Sequence, residues 1–310
     1  MADIILHHYP LSPYSEKVRL AMGLKGLSWR SVEIPVWTPR PLLTPMTGGY
    51  RRTPILQIGA DFYCDTLLIL HMLDGLGTGN SLYPAESKAM VKACCWWIEK
   101  SSFWNSVCLT IGNLAGKLPQ ELIDERKPFF GASIDPAELQ PKRGVYSQRL
   151  NAHLHWLGQL LADGRRFLFG SQPTAADLAA YHVLWFARQN GGPEIEALLP
   201  ISTVGAWYDR VGAIGHGRPT SMTPDEAIQV AKAAEPDSPK ASSREAESDG
   251  VKLGDWVSVT PDDYGNPVHG RLLAWKDEEI IVRHEDRSVG RVNLHFPRAG
   301  FDVKAERQAA

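Results

Sequence analysis

The stretch Ile4-Ile5-Leu6-His7-His8-Tyr9-Pro10-Leu11-Ser12-Pro13-Tyr14-Ser15-Glu16-Lys17-Val18-Arg19 decides the reading of this 310-residue chain. Ile4 to Leu6 reads as a short buried strand. Ser12 followed by Pro13 reads as an N-cap and first helical residue, because a serine hydroxyl accepts a first-turn N–H and proline brings none. Val18, Leu20, Ala21, Met22 and Leu24 supply the apolar positions of a helix from Pro13 to Lys25, and Gly26 closes it. Free N–H groups and partial positive charge at such a helix start favour an anion. A hydroxyl there can also donate to a thiolate and lower a bound thiol's pKa from its usual value of about 8.5. Plain helix capping asks for the same residue in the same place, so the local sequence leaves both roles open.

Outward from this helix, Trp29 to Ile34 alternates like a second strand, and a segment containing Pro39, Pro41 and Pro45 follows. Ile55 to Ile58, the turn Gly59-Ala60-Asp61 and Phe62 to Cys64 then pattern as a hairpin. Leu67 to Leu73 is apolar enough for a helix against the sheet, giving the order β-α-β, then β-β-α. Thr53-Pro54 brings a proline into the first hairpin strand, where it belongs at the first residue or at an edge. A cis bond there would turn the Thr53 backbone N–H and C=O toward a ligand, whereas trans is the ordinary form. Asp65-Thr66 precedes the next helix with two good capping residues, and that helix start would attract a carboxylate.

From Ser81 to Ala234 helical patterns dominate: Ala85 to about Leu114, Pro136 to Leu161, Thr174 to Arg188, Ile201 to Val211 and Pro224 to Ala234. Lys117 to Phe130 is less regular and reads as a loop or short helix. Thr174 and Asp177 have the spacing of a capping box, a folding signal. The segment from Ala233 to Gly250 carries almost no large apolar residue and reads as a flexible linker. Beyond it the period becomes 2, with Val257/Val259, Leu272/Ala274, Ile280/Val282 and Val292/Leu294/Phe296 alternating with polar neighbours. Four or five strands in this length suggest a small antiparallel barrel, SH3-like in size. The expected organisation is residues 1–80 α/β, 81–234 all-helical, 235–250 linker and 251–310 an autonomous β-barrel module.

With 44% hydrophobic and 22% charged residues, the chain excludes wholesale disorder and collagen-like or disulfide-miniprotein classes. The 33 basic and 35 acidic residues cancel to −2, which removes the footprint of a dedicated nucleic-acid binder. The segment from Val251 onward, with nine Lys/Arg against ten Asp/Glu, is no basic module either. No apolar run approaches the roughly 18 residues that span a bilayer, and the Met-Ala-Asp start lacks a signal peptide's basic region. Cys64, Cys94, Cys95 and Cys108 show no Cys-x-x-Cys spacing and read as reduced core thiols. A cytoplasmic protein without nucleic-acid or membrane partners is expected. The adjacent His7 and His8 point to opposite faces of a strand, poor geometry for one metal, so no metal site is expected. His269, His284 and His295 fall into no ligand spacing.

Taken together, these motifs make residues 1–234 resemble a cytosolic glutathione S-transferase. Ser12-Pro13-Tyr14-Ser15-x-Lys17-Val18-Arg19 looks like that family's active-site helix start. Thr53-Pro54 matches its cis-proline, and Asp65-Thr66 stands where it usually carries Glu/Gln-Ser. Ser81-Leu82-Tyr83-Pro84 resembles the family's interdomain connector, and Gly170 to Asp177 its helical capping motif. The resemblance implies a thioredoxin-like N-terminal domain followed by an all-α domain. The last 60 or so residues lie outside the ordinary pattern.

Carried over by position, the resemblance implies Ser12 as the residue activating glutathione, with Thr53, Pro54, Asp65 and Thr66 holding the tripeptide. Ser12-Pro13-Tyr14-Ser15 replaces a redox Cys-x-x-Cys, which disfavours mixed-disulfide chemistry. A tyrosine-type phenol would fall near His8, and Tyr9 is one place off. Arg51-Arg52 would either meet the glycyl carboxylate or stand as a solvated pair. Trp96, Trp97 and Trp104 would line an electrophile pocket or belong to the core. The implied activity is attack of the glutathione thiolate on a small, mostly apolar electrophile, or its use in isomerisation or dehalogenation, in a homodimer as is the family's habit. The alternative is a non-catalytic glutathione-transferase-like scaffold whose β-module binds a protein partner.

Overall fold

The computed structural model describes residues 3–114, 117–126, 134–239, 250–263 and 265–306. In chain order, strand β1 (Ile4–His8) leads to helix α1 (Pro13–Leu24), strand β2 (Ser28–Glu33) and the single turn α2 (Thr44–Thr47). The hairpin β3 (Ile55–Ile58) and β4 (Asp61–Cys64) then enters α3 (Thr66–Asp74). Helices α4 (Lys88–Ile98), α5 (Trp104–Asn113), α6 (Gln120–Arg126), α7 (Pro136–Leu139), α8 (Arg143–Leu160), α9 (Ala175–Asn190), α10 (Ile195–Leu198) and α11 (Gly205–Gly212) follow. The short β5 (Arg218–Ser221) and α12 (Pro224–Ala233) precede five strands. These are β6 (Trp256–Pro261), β7 (Val268–Trp275), β8 (Glu279–Asp286), β9 (Gly290–Pro297) and β10 (Phe301–Ala305).

The element order expected from the sequence is present, with local differences. A π-helical turn, Glu99–Phe103, separates α4 from α5, and a 3-10 turn, Gln140–Lys142, separates α7 from α8. Pro141 inside the second break cannot donate a helical N–H, which accounts for that interruption. β5 escaped the reading because its four residues are all exposed and carry no apolar alternation. Of the irregular segment 117–130, Gln120–Arg126 is helical and residues 127–130 lie outside the described residues.

The chain divides into two compact units whose boundaries differ from those expected. One comprises Met1–Pro10, Ser28–Met72 and Pro219–Ala310; the other comprises Leu11–Leu27 and Leu73–Arg218. The first unit is built on one ten-stranded sheet in the order β10-β6-β7-β8-β9-β4-β3-β1-β2-β5. β1 runs parallel to β2 and antiparallel to β3, and β3 antiparallel to β4. The C-terminal strands form an antiparallel meander, with β10 returning beside β6. β9 lies parallel to β4, pairing Asp61 with Asn293, Phe62 with Leu294 and Tyr63 with His295.

The strands expected after residue 250 are present, and through β9 they continue the sheet of the N-terminal strands. A single core cluster contains Met46, Tyr50, Ile55 and Phe62 together with Val257, Val268, Val282, Leu294 and Phe296. A core of about 60 residues is marginal alone, and sharing one sheet removes that weakness. Of the expected linker, residues 240–249 lie outside the described residues. α12 also belongs to this unit rather than to the expected helical domain: Ala227 and Val230 pack with Ile5, Val32 and Met222. Gln57 further donates to the Ala227 carbonyl at 2.9 Å.

A buried polar triad fastens β4 to the C-terminal strands. His295 Nε2 lies 2.8 Å from Asp61 Oδ1, and its Nδ1 lies 2.8 Å from Glu279 Oε1. Both ring nitrogens facing carboxylates requires the doubly protonated imidazolium, since carboxylates only accept. Asn293 Nδ2 adds a bond to Asp61 at 2.9 Å, Lys276 one to Glu279 at 2.5 Å, and the Tyr63 ring stacks on His295 at 4.4 Å.

In the second unit, α1 joins the helices rather than residues 1–80. Its Tyr14 ring lies 4.6 Å from Phe103 and 4.9 Å from His182. Lys17 Nζ reaches Glu99 at 2.5 Å, and the same carboxylate oxygen lies 3.2 Å from His182 Nε2. Asp177, at the start of α9, accepts from Leu168 N, Thr174 N and Trp207 Nε1 at 2.8, 2.9 and 2.9 Å. That fulfils the folding role given to the Thr174/Asp177 capping box. No described helix is long and apolar enough to cross a membrane.

Candidate functional site

In the sheet unit, the loop before β3 is tied down by a residue that sequence reasoning passed over. Buried Arg40 donates to the Pro35, Val36 and Arg51 carbonyls at 2.9, 3.0 and 2.8 Å, and to Thr53 Oγ1 at 2.8 Å. One guanidinium therefore fixes both ends of the excursion that delivers Thr53. A lone arginine between Pro39 and Pro41 was the available signal. The Thr53–Pro54 bond is cis, as the resemblance implied, and so is Thr38–Pro39. Gly48, at φ 59°, lies so close to β7 that a Cβ would stand 2.9 Å from Val268 Cγ1. The loop thus rests on the C-terminal strands.

Past the hairpin, Asp65 has φ 70°, a left-handed conformation that only a few side chains tolerate and that costs about 1–2 kcal/mol. Its Oδ1 accepts from Leu67 N at 2.9 Å, and its carbonyl accepts Ile69 N at 3.0 Å, so it opens α3. The carboxylate is a quarter exposed, while Thr66 beside it is buried. Arg52 Nη1 stands 3.5 Å from Asp65 Oδ2, and Arg52 Nη2 is bonded to Asp263 in the loop after β6. Arg52 is therefore neither a solvated surface charge nor half of a matched Arg51-Arg52 pair. The structure brings Thr53, Pro54, Asp65 and Thr66 into one unit, and adds Arg40, Arg52 and Asp263 to them.

Ser12 belongs to the helical unit. It has φ −73° and ψ 121°, is 1% exposed, and its Oγ accepts from Ser15 N at 3.2 Å. The capping role is thus occupied. A hydroxyl that accepts one bond still holds its own proton, so capping leaves it a donor. Farther along α1, burial pushes the Glu16 carboxyl up, but bonds from His216 and Arg19 outweigh it and hold the group below its ordinary range.

Other candidates found different employment. His7 Nε2 is bonded to Gln57 and His8 Nε2 to Ser31, each at 2.8 Å, on opposite sides of β1. Burial holds His7 down to about 4, so it is neutral at physiological pH. All four cysteines are free, and burial pushes the Cys94 and Cys108 thiols up to about 11 and raises those of Cys64 and Cys95 as well. None is poised as a nucleophile. Trp97 is 44% exposed and packs on His153 and Trp156 with ring centroids 5.3 and 5.5 Å away. It borders a cavity of about 30 Å³ with Cys94, Leu150 and Leu157, room for one or two waters and far below a substrate pocket.

A family model described as glutathione S-transferase, N-terminal domain, matches residues 6–81, and one described as glutathione S-transferase, C-terminal domain, matches residues 143–210. The crystal structure of a GST-like protein from Pseudomonas syringae is 34% identical with a TM-score of 0.82, and the match covers 99% of this chain and 100% of that one. That relative therefore also matches the C-terminal strands. FtsZ-localized protein A of Caulobacter vibrioides is 29% identical over 181 residues, 56% of this chain and 73% of that protein. A probable glutathione S-transferase of Solanum tuberosum is 26% identical over 110 residues, 34% of this chain and 51% of that protein. This chain spans about half the length of the potato relative.

Proposed function

The chain belongs to the glutathione S-transferase family, and we propose that it binds reduced glutathione through Thr53, Pro54, Asp65 and Thr66, with Ser12 as the group that lowers the thiol's pKa. The observation that carries this reading is Asp65: a left-handed backbone and a quarter-exposed carboxylate at the start of α3. Helix capping does not require that conformation, and Asp65 tolerates it at a cost in stability. A carboxylate there suits an ammonium group, and the N–H groups of the helix start beside it suit a carboxylate. The α-amino and α-carboxylate groups of the γ-glutamyl residue offer that pair. Ser12 Oγ–H would donate to the thiolate, so that the thiol proton leaves to solvent at neutral pH. The sulfur then forms a bond to an electrophilic carbon and the leaving group departs with its electron pair, with no covalent enzyme intermediate.

The second substrate is a small, mostly apolar electrophile, and no metal takes part in this reading. Four free thiols, three of them buried, suit the reducing cytoplasm, where we place the protein. Dimerisation follows the family's habit, and size-exclusion chromatography with light scattering tests it. A second reading, a glutathione-transferase-like scaffold without turnover, is favoured by two observations. Ser12 is 1% exposed, and one relative is named for localisation with FtsZ rather than for a transferase activity. Calorimetric titration of reduced glutathione followed by a conjugation assay with an activated aryl halide separates them. Binding with turnover supports the transferase, binding alone the scaffold, and no binding heat removes the glutathione reading.

A further inference from the structure

We infer that Asp263, in the loop after β6, is a positioning residue for the glutathione site: it holds the Arg52 guanidinium back from Asp65 and keeps that carboxylate open to the ligand's ammonium group. The inference rests on the glutathione reading above. Its basis is the arrangement of four side chains within the sheet unit. Arg52 presents Nη2 to Asp263 Oδ1 in direct contact, while its Nη1 stays 3.5 Å from Asp65 Oδ2. Charge-assisted N–H···O bonds close to about 2.7–2.9 Å, so the Asp65 side of the fork is an ion pair held short of contact. The Phe301 ring lies 5.8 Å from the guanidinium carbon, a cation–π contact that fixes its plane. Asp263 after β6, Phe301 in β10 and Asp65 before α3 thus all bear on where this positive charge stands.

The consequence is electrostatic. Asp65 already commits Oδ1 to Leu67 N, so Oδ2 is the oxygen left for a ligand cation. An arginine without Asp263 would swing toward Asp65 and close a charge-assisted bond onto that oxygen. The ligand's ammonium group would then compete with an internal cation. Asp263 prevents this without touching the ligand, which gives the C-terminal strands a part in a site otherwise drawn from residues 53–66. The pair is partly exposed, Asp263 more than Arg52, so the effect is moderate.

The test is calorimetric titration of the full-length chain with reduced glutathione and with its N-acetyl derivative, which lacks the ammonium group. Asp263→Ala should weaken glutathione binding about fivefold. Asp263→Glu should restore most of it. In an Arg52→Ala background the Asp263→Ala change should have no effect, because no guanidinium remains to restrain. Binding of the N-acetyl derivative should be insensitive to Asp263→Ala. Unchanged glutathione affinity in Asp263→Ala, with the wild type binding and Asp65→Ala impaired, overturns the inference and leaves the glutathione reading standing. An equal loss in both backgrounds, or an equal loss for the N-acetyl derivative, also overturns it, since either points to a general structural role. A wild-type chain that binds no glutathione removes both. Thermal melts of each variant check that the fold is intact.

Discussion

Helices α1 and α3 each begin on a capping side chain, and these two caps differ in what folding alone explains. Ser12 opens α1 from an extended backbone, buried, with an ordinary bond to Ser15 N. Asp65 opens α3 from a left-handed backbone with part of its carboxylate exposed. The first is accounted for by helix formation. The second caps its helix too, but at a conformational cost that capping does not require, and that is the kind of residue to which a ligand role attaches. The polar groups next along the chain differ in the same way. Lys17, on the helix that Ser12 opens, shares Glu99 with His182, so one carboxylate serves two potential cations. Asp61, on the strand that ends before Asp65, shares His295 with Glu279, so two carboxylates serve one.

The largest effect is expected from breaking the second arrangement. His295→Ala leaves buried Asp61 without its cation and Glu279 with Lys276 alone, and should cost about 3–5 kcal/mol, read as a shift in urea midpoint. The pH dependence follows from the shifts. Burial alone would lower His295, but the bonds to Asp61 and Glu279 leave it above 6.5. Its contribution is complete below 6.5 and is lost as pH rises through the raised value. Burial would raise Asp61 and Glu279, yet His295 holds both below their ordinary range, Glu279 to about 2. Their contribution is complete above 4.5 and is lost on acidification. The gap between wild type and His295→Gln should therefore be widest between pH 4.5 and 6.5. A gap that keeps growing above that window contradicts the charged triad. His182 has the opposite sign: burial holds it below 6.5, so it works against stability as pH falls below that value.

Next in size, Asp65→Ala removes a charge-assisted bond and should weaken glutathione binding by about 1.5–3 kcal/mol, one to two orders of magnitude. Unchanged affinity takes Asp65 out of the site and erases the contrast between the caps. Ser12→Ala should lower stability by about 1 kcal/mol for the lost cap. In the thiolate reading it also raises the pKa of bound glutathione, followed by thiolate absorbance against pH. A stability change without a titration change makes Ser12 a cap only, with His8 and Tyr9 next in line as activating groups. The smallest effect is the sharpest discriminator. Asp65→Gly relieves the left-handed backbone while giving up a few tenths of a kcal/mol of capping and gaining chain entropy in the unfolded state. It should sit within about 1 kcal/mol of wild type in urea denaturation, well above Asp65→Ala.

Much of this is legible in the sequence. Ser12-Pro13 set the start of α1, Thr174 with Asp177 set that of α9, and Gly59 marked the β3–β4 hairpin. What could not be read was pairing. Alternation of Val292, Leu294 and Phe296 names one apolar face of β9, but period 2 is silent on the neighbouring strand. Asn293 and His295 are also buried, so the face expected to meet water is covered too. Asp61 read as a turn residue because Gly-Ala-Asp is good turn chemistry, yet it pairs inside β4 and is 4% exposed. For the site, the backbone motif at residues 53–66 was visible. Arg40 and Asp263 were not, because their roles depend on contacts across 11 and 211 positions of chain.

The union of β4 with β9 has a kinetic corollary. Without β9, β4 would have β3 as its one neighbour and would form an edge of the sheet, the position from which backbone amides exchange with deuterium most readily. With β9 in place, the open edges move outward to β5 and β10. Amides of β4, the strand that ends one residue before Asp65, should then exchange on the slow timescale of interior strands such as β3, while those of β10 exchange early. An isotope-labelled peptide map would read the union of the two sheets as a ranking of half-lives.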